Sequence, residues 1–131
     1  MNIYIASSYV NGVKIVKDLK MKLNELDAKI FYPESINISA HTLSEMQAVN
    51  NICTEEIRKC DVLVAVYPFG ISVSVEIGRF LESNKKNKKL IIFDTSEKDS
   101  EQYRKLRTEA MLIPQVYKII DSIDELIKEL Y

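Results

Sequence analysis

The chain has 131 residues, enough for one domain that buries about two-thirds of its unfolded surface without disulfides or structural metal. Its 47% hydrophobic and 28% charged residues exclude a disordered chain. Eighteen Lys and Arg against nineteen Asp and Glu leave a formal charge of −1, so no field draws it to nucleic acid or an anionic membrane. No apolar run reaches the ~20 residues that span a bilayer. The start, MNIYIASSYVNGVK, carries no basic leader, and a cytoplasmic location is expected. Cys53 and Cys60 are too few for a disulfide scaffold. Seven residues apart on one helix, they would stand about 10 Å apart, beyond disulfide reach. With a single His and no Cys/His spacing, neither a metal site nor a cofactor is expected.

In chain order, short apolar runs alternate with amphipathic segments. Strands are predicted at Asn2–Ala6, Ala28–Tyr32, Asp61–Val66, Leu90–Phe93 and Val116–Ile120. The third and fourth are nearly continuous apolar runs, the mark of parallel strands buried on both faces. Val13, Val16, Leu19, Leu23 and Leu26 make the stripe of a first helix. Leu43, Met46, Val49, Cys53, Ile57 and Cys60 make a second, behind the capping box Thr42–Glu45. Val73, Ile77, Phe80 and Leu81 line a third, and Gly78 within it suggests close packing on the sheet. Part of 96–111 is expected to be helical. A second capping box, Ser122–Glu125, opens a last helix with Ile123, Leu126, Ile127 and Leu130 inward. The lysine run at 85–89 reads as a solvated helix end rather than a phosphate patch.

This alternation predicts a single domain, 1–131, with an α/β flavodoxin-like three-layer sandwich and a five-stranded parallel sheet in the order 2-1-3-4-5. Ligands in such sheets bind beyond the carboxyl ends of the strands, where the order reverses. Two loops meet there, Ser7–Gly12 and Tyr67–Ile71. Ser7 and Ser8 can offer donors to a sugar or phosphate, or simply cap the helix that follows. Glu76 is expected in the first turn or so of the third helix, among Val73, Val75, Ile77 and Phe80. It reads either as a partner of the helix dipole or as an under-solvated carboxylate nucleophile. Tyr9, Tyr32 and Tyr67 read as packing residues, of which Tyr9 and Tyr67 can stack on a base. His41 is a loop residue, either a bystander or part of a lid.

NIYIASS at the start and DVLVAVYPFGISVSVEIGRF in the middle together resemble the nucleoside 2-deoxyribosyltransferase family, which includes deoxynucleoside-monophosphate N-hydrolases. The resemblance implies that Glu76 attacks the anomeric carbon of a nucleoside or nucleotide with Tyr4 beside it, and that water or a second base takes the sugar. It also implies substrate contacts among Ser7, Ser8, Asn11 and Gly12, and among Tyr67, Gly70, Ser72 and Ser74, in a homodimer or larger assembly built on the second and third helices. The chain departs from that pattern at Val10, Cys53 and Gly70, and has no Asn after Asn87. Glu34, Glu55 and Glu56 are the candidates for a second acid. The Glu-containing helix after a Ser-bearing loop is also similar to TIR domains that cleave NAD. A nucleotide-binding or sensing protein without turnover, and a plain interaction module, are the readings from other classes.

Overall fold

A computed structural model of the chain describes residues 1–7, 17–25, 27–36, 38, 40–83 and 85–130, with the backbone alone for Glu34. Five strands, β1 (Asn2–Ala6), β2 (Lys29–Phe31), β3 (Val62–Tyr67), β4 (Lys89–Asp94) and β5 (Lys118–Ile120), form one all-parallel sheet in the order β2-β1-β3-β4-β5. The helices are α1 (17–23), α2 (Leu43–Lys59), α3 (Ile71–Glu82), α4 (Glu101–Arg107) and α5 (Ile123–Leu130). This is the expected three-layer flavodoxin-like arrangement, with β3 as the central strand.

Side-chain parity along the strands sorts the core into two layers. Tyr4, Ala6, Leu63, Ala65, Tyr67, Leu90 and Ile92 face α2, α3 and α4. Ile3, Ile5, Val62, Val64, Val66, Ile91 and Phe93 face α1 and α5, where Leu19, Leu23, Leu126 and Leu130 meet them. All six residues of β3 are buried, as the unbroken apolar run required. β5 starts later than expected because Val116 closes a 3-10 turn at Ile113–Gln115, its N–H reaching the Ile113 carbonyl at 3.1 Å. Within 96–111 the helix is α4 alone, capped by the Ser100 hydroxyl, which accepts from the Tyr103 N–H.

The Thr42–Glu45 capping box is complete. At Ser122 the hydroxyl accepts from the Glu125 N–H at 3.2 Å. In α2 the stripe divides. Cys53, Ile57 and Cys60 are buried, whereas Leu43 and Met46 are exposed, contrary to expectation. A 17-residue helix is about 25 Å long and a six-residue strand about 20 Å. The first turns of α2 therefore overhang the carboxyl edge of the sheet. Lys85 and Lys88 of the lysine run are held rather than solvated, while Lys86 is exposed. Lys88 Nζ donates to the carbonyls of Phe80, Leu81 and Ser83, closing the C-terminus of α3, and Lys85 pairs with Asp61 at 2.8 Å.

Gly78 corrects a second expectation. It is exposed, and a Cβ built there meets nothing within 4 Å, so packing on the sheet does not require glycine. Gly78→Ala should raise stability by about 0.5–1 kcal/mol through backbone entropy and helix propensity. Urea unfolding checks this; a loss of stability would show that the glycine serves a contact made outside this chain.

Candidate active site

Tyr4 leaves β1 on the face covered by α2 and α3. On α3 the inward stripe is Val73, Glu76, Ile77 and Phe80, so a carboxylate occupies a position that helical spacing reserves for the core. Glu76 is only 9% exposed and Tyr4 is fully buried, and the Tyr4 hydroxyl donates to Glu76 Oε2. The Tyr4 ring packs against Phe31 with centroids 5.3 Å apart. Burial first, then the charge of Glu76 and the hydrogen bond to it, with smaller contributions from Cys53, push the Tyr4 phenol far above its ordinary range. Tyr4 is therefore a fixed donor, and it holds one carboxylate oxygen in place. A buried carboxylate without such a partner would be strongly unfavourable.

Glu76 is the sixth residue of α3, whose N-cap is Gly70, and no acid occupies the first turn. That corrects the expected placement. The helix dipole fades within the first turn, so it contributes little to this carboxylate.

Between α2 and α3 lies a cleft of about 430 Å³, lined also by Pro33 and Ala40 of the β2–α2 connection. Met46, Val49, Ile71 and Val75 give it apolar walls, and Asn50, Cys53, Ser72, Glu76 and Arg79 supply its polar atoms. The overhanging turns of α2 thus form one wall. Arg79 Nη1 donates to Asn50 Oδ1 at 2.5 Å and to Thr54 Oγ1 at 3.0 Å, tying the two helices together. Sequence reasoning passed over Arg79, although its i+3 spacing from Glu76 places both on one side of α3.

The other expected site residues scatter. Ser72 lines the cavity. Ser74 donates to the Gly70 carbonyl and borders a separate groove with Phe69 and Gly78. Tyr67 is buried, its ring edge-on to Phe69 and its hydroxyl bonded to the Gln102 carbonyl at 2.7 Å, and it does not line the cavity. Ser7 follows β1 at the carboxyl edge. Ser8, Tyr9, Val10, Asn11 and Gly12 lie outside the described residues, as do Val13, Val16 and Leu26 of the first stripe. His41 is exposed. Glu55 and Glu56 pair with Arg58 and Lys59 and do not reach the cavity. Near the carboxyl edge, buried Asp94 accepts from Ser96 and from Arg107 Nη1 at 2.7 Å, fixing the exit of β4. No group of three or more potential metal ligands occurs among the described residues, and no described helix is long and apolar enough to cross a membrane.

No protein-family model and no curated protein sequence matches the chain. Solved structures do. A 2-deoxyribosyltransferase from Bacillus psychrosaccharolyticus superposes with a TM-score of 0.74 at 15% identity, over 96% of this chain and 90% of that one. A conserved protein from Enterococcus faecalis V583 gives 0.70 at 21% identity, over 99% and 96%. A CMP N-glycosidase from Clostridium botulinum gives 0.57 at 19% identity, over 99% and 97%. The fold is therefore the one these proteins share.

Tyr4→Phe removes the donor to a buried carboxylate and should cost about 1–3 kcal/mol near pH 7. The raised phenol pKa sets the sign with pH. Its stabilisation is whole below the ordinary phenol value of about 10 and is lost as pH rises above it. The stability gap between wild type and Tyr4→Phe should narrow above pH 10 in parallel urea titrations. A gap that widened there would contradict a neutral donor phenol.

Proposed function

We propose that this protein cleaves the N-glycosidic bond of a nucleoside or nucleotide, with Glu76 as nucleophile and water or a second base as sugar acceptor. The observation that carries this reading is a carboxylate set in the core stripe of α3, clamped by a buried phenol, on the wall of a ligand-sized cavity. Neutral Tyr4 keeps Oε2 occupied, so the attacking position of the carboxylate is set before substrate arrives. The apolar surroundings leave the charge poorly hydrated, as a nucleophile needs. Attack on C1′ forms a glycosyl ester and expels the base; hydrolysis or a second base then releases Glu76. The fold is shared with a deoxyribosyltransferase and a CMP N-glycosidase, which supports the same bond as target.

Glu76→Gln keeps the shape and the acceptor for Tyr4 but removes the attacking charge. Base release, followed by chromatography over nucleosides, nucleotides and NAD, should fall about 10³-fold, equivalent to about 4 kcal/mol, while ligand binding persists. Equal turnover by the two proteins refutes the nucleophile. Tight nucleotide binding without turnover by wild type establishes the binding-protein reading instead.

Assembly belongs to the same proposal. Leu43 is 77% exposed and Ile71 is 87% exposed, on the overhanging first turns of α2 and α3 beside the cavity. We place a homodimer or larger assembly across these turns, in the cytoplasm, where the two buried cysteines stay reduced. Light scattering at micromolar concentration should show at least a dimer, and Leu43→Glu with Ile71→Glu should shift it toward monomer. A monomeric wild type refutes this.

A further inference from the structure

We propose that Asn50 and Thr54 are positioning residues that hold the Arg79 guanidinium against α2 and so keep it from closing onto Glu76. The inference rests on Glu76 as the nucleophile and names what guards its reactive state.

Glu76 and Arg79 stand three residues apart on α3, and both line the cleft. A glutamate followed at i+3 by a cation is a favourable helical pair, because both side chains lie on one side of the helix. The same molecule shows what that spacing does by default. On α2, Glu55 meets Arg58 at 3.5 Å and Glu56 meets Lys59 at 3.9 Å, both at this spacing. On α3 the arginine sends Nη1 to the facing helix, reaching Asn50 Oδ1 at 2.5 Å and Thr54 Oγ1 at 3.0 Å. Asn50 and Thr54 are themselves one turn apart, so they present two acceptors along one side of α2. Arginine has no acceptor, so the oxygen of the Asn50 amide must face it. Both acceptors are neutral. They hold the guanidinium without cancelling its charge, as a carboxylate in either place would.

What the guanidinium would do at Glu76 follows from its shape. Its planar fork binds a carboxylate through two parallel N–H bonds. Tyr4 donates to Oε2, which makes Oε1 the attacking oxygen. An arginine closed over that edge would cover the attacking lone pair, and its bonds would have to break before the ester to C1′ could form. It would also lower the carboxyl pKa, and a fall of about one makes the nucleophile about tenfold harder to release. Held on α2, the same cation stays in the cleft and favours the ionised carboxylate from a distance. Among the described residues, the titratable and charged groups around Glu76 are Tyr4 from β1, Cys53 from α2 and Arg79 from its own helix. Of these, Arg79 is the cation, so its placement decides whether Glu76 is paired or poised.

The test compares wild type with Asn50→Leu, Thr54→Val and the two together, in the full chain, on the same panel of nucleosides and nucleotides. With both acceptors gone, kcat on the pH plateau should fall about tenfold, and the acid limb should move down by about one pH unit. Each single variant should give part of that change, and the singles carry the test where the double variant does not fold. Adding Arg79→Met to the double variant should restore most of the lost kcat, because the quenching cation is gone. A tie that serves structure alone predicts a different pattern. Melting temperature would fall, the acid limb would stay in place, and removing Arg79 would restore nothing; that outcome overturns the inference. A second readout does not need turnover. In a carboxyl-carbon NMR titration, the Glu76 signal, assigned by its absence from Glu76→Gln, should titrate at lower pH in the double variant than in wild type. An unchanged midpoint overturns the inference. Absence of turnover by wild type on every substrate removes the N-glycosidase reading, and the carboxyl titration then decides by itself whether Asn50 and Thr54 hold Arg79 off Glu76.

Discussion

Much in this molecule turns on how a carboxylate is kept in a place that belongs to the core. Position 76 is flanked in helical spacing by Val73, Ile77 and Phe80, all buried against the sheet. An apolar side chain there would continue the stripe. The glutamate is tolerated because Tyr4, two strand positions before the carboxyl end of β1, delivers a hydroxyl to it. That delivery depends on the sheet. Parallel pairing of β1 with β3 sets Tyr4 opposite Leu63, and parity turns both toward α3. A one-residue slip of β1 would send the phenol to the α1/α5 side, away from the carboxylate.

The two faces of the sheet accordingly do different work. Among the described residues, the α1/α5 face is aliphatic apart from Phe93 and Tyr32 and carries no buried charge. On the other face α2 extends past the strand ends, and α3 exposes Ile71 and Val75 there, so the two helices border an open cleft at the sheet edge. Arg79, bridging to Asn50 and Thr54, holds the walls together one helical turn beyond Glu76. The cavity is thus a consequence of helix length as much as of side-chain choice.

The strands and helix stripes were legible because burial on both faces writes long apolar runs and 3.6-residue spacing into the sequence. Sheet order followed from the alternation of elements, and with it the meeting of the β1 and β3 exits. What remained hidden depended on contacts with no periodic signature. Arg79 with Asn50, and Asp94 with Arg107, join residues 29 and 13 positions apart. Tyr67 looked available to a ligand until α4 placed the Gln102 carbonyl against its hydroxyl. Ser72 and Ser74 were grouped by nearness in sequence, yet two residues turn about 200° around a helix, so only Ser72 faces the cavity. Leu43 and Met46 obeyed the stripe, but the stripe outran the sheet beneath it.

At the opposite edge of the sheet the charges are spent on structure. Asp61 accepts from the Asn2 N–H at 2.8 Å and pairs with Lys85, and these two contacts hold its carboxyl below the ordinary range. Lys85 also donates to the Lys59 carbonyl, and Lys88 gathers the last carbonyls of α3. Lys85 and Lys88, of the run that read as a solvated helix end, instead close helix ends at the amino edge, with a whole strand length between them and the cavity. Positive charge at the carboxyl edge must then come from elsewhere. Arg107 is taken by Asp94, and among the described residues lining the cavity in which Glu76 sits Arg79 is the one cation.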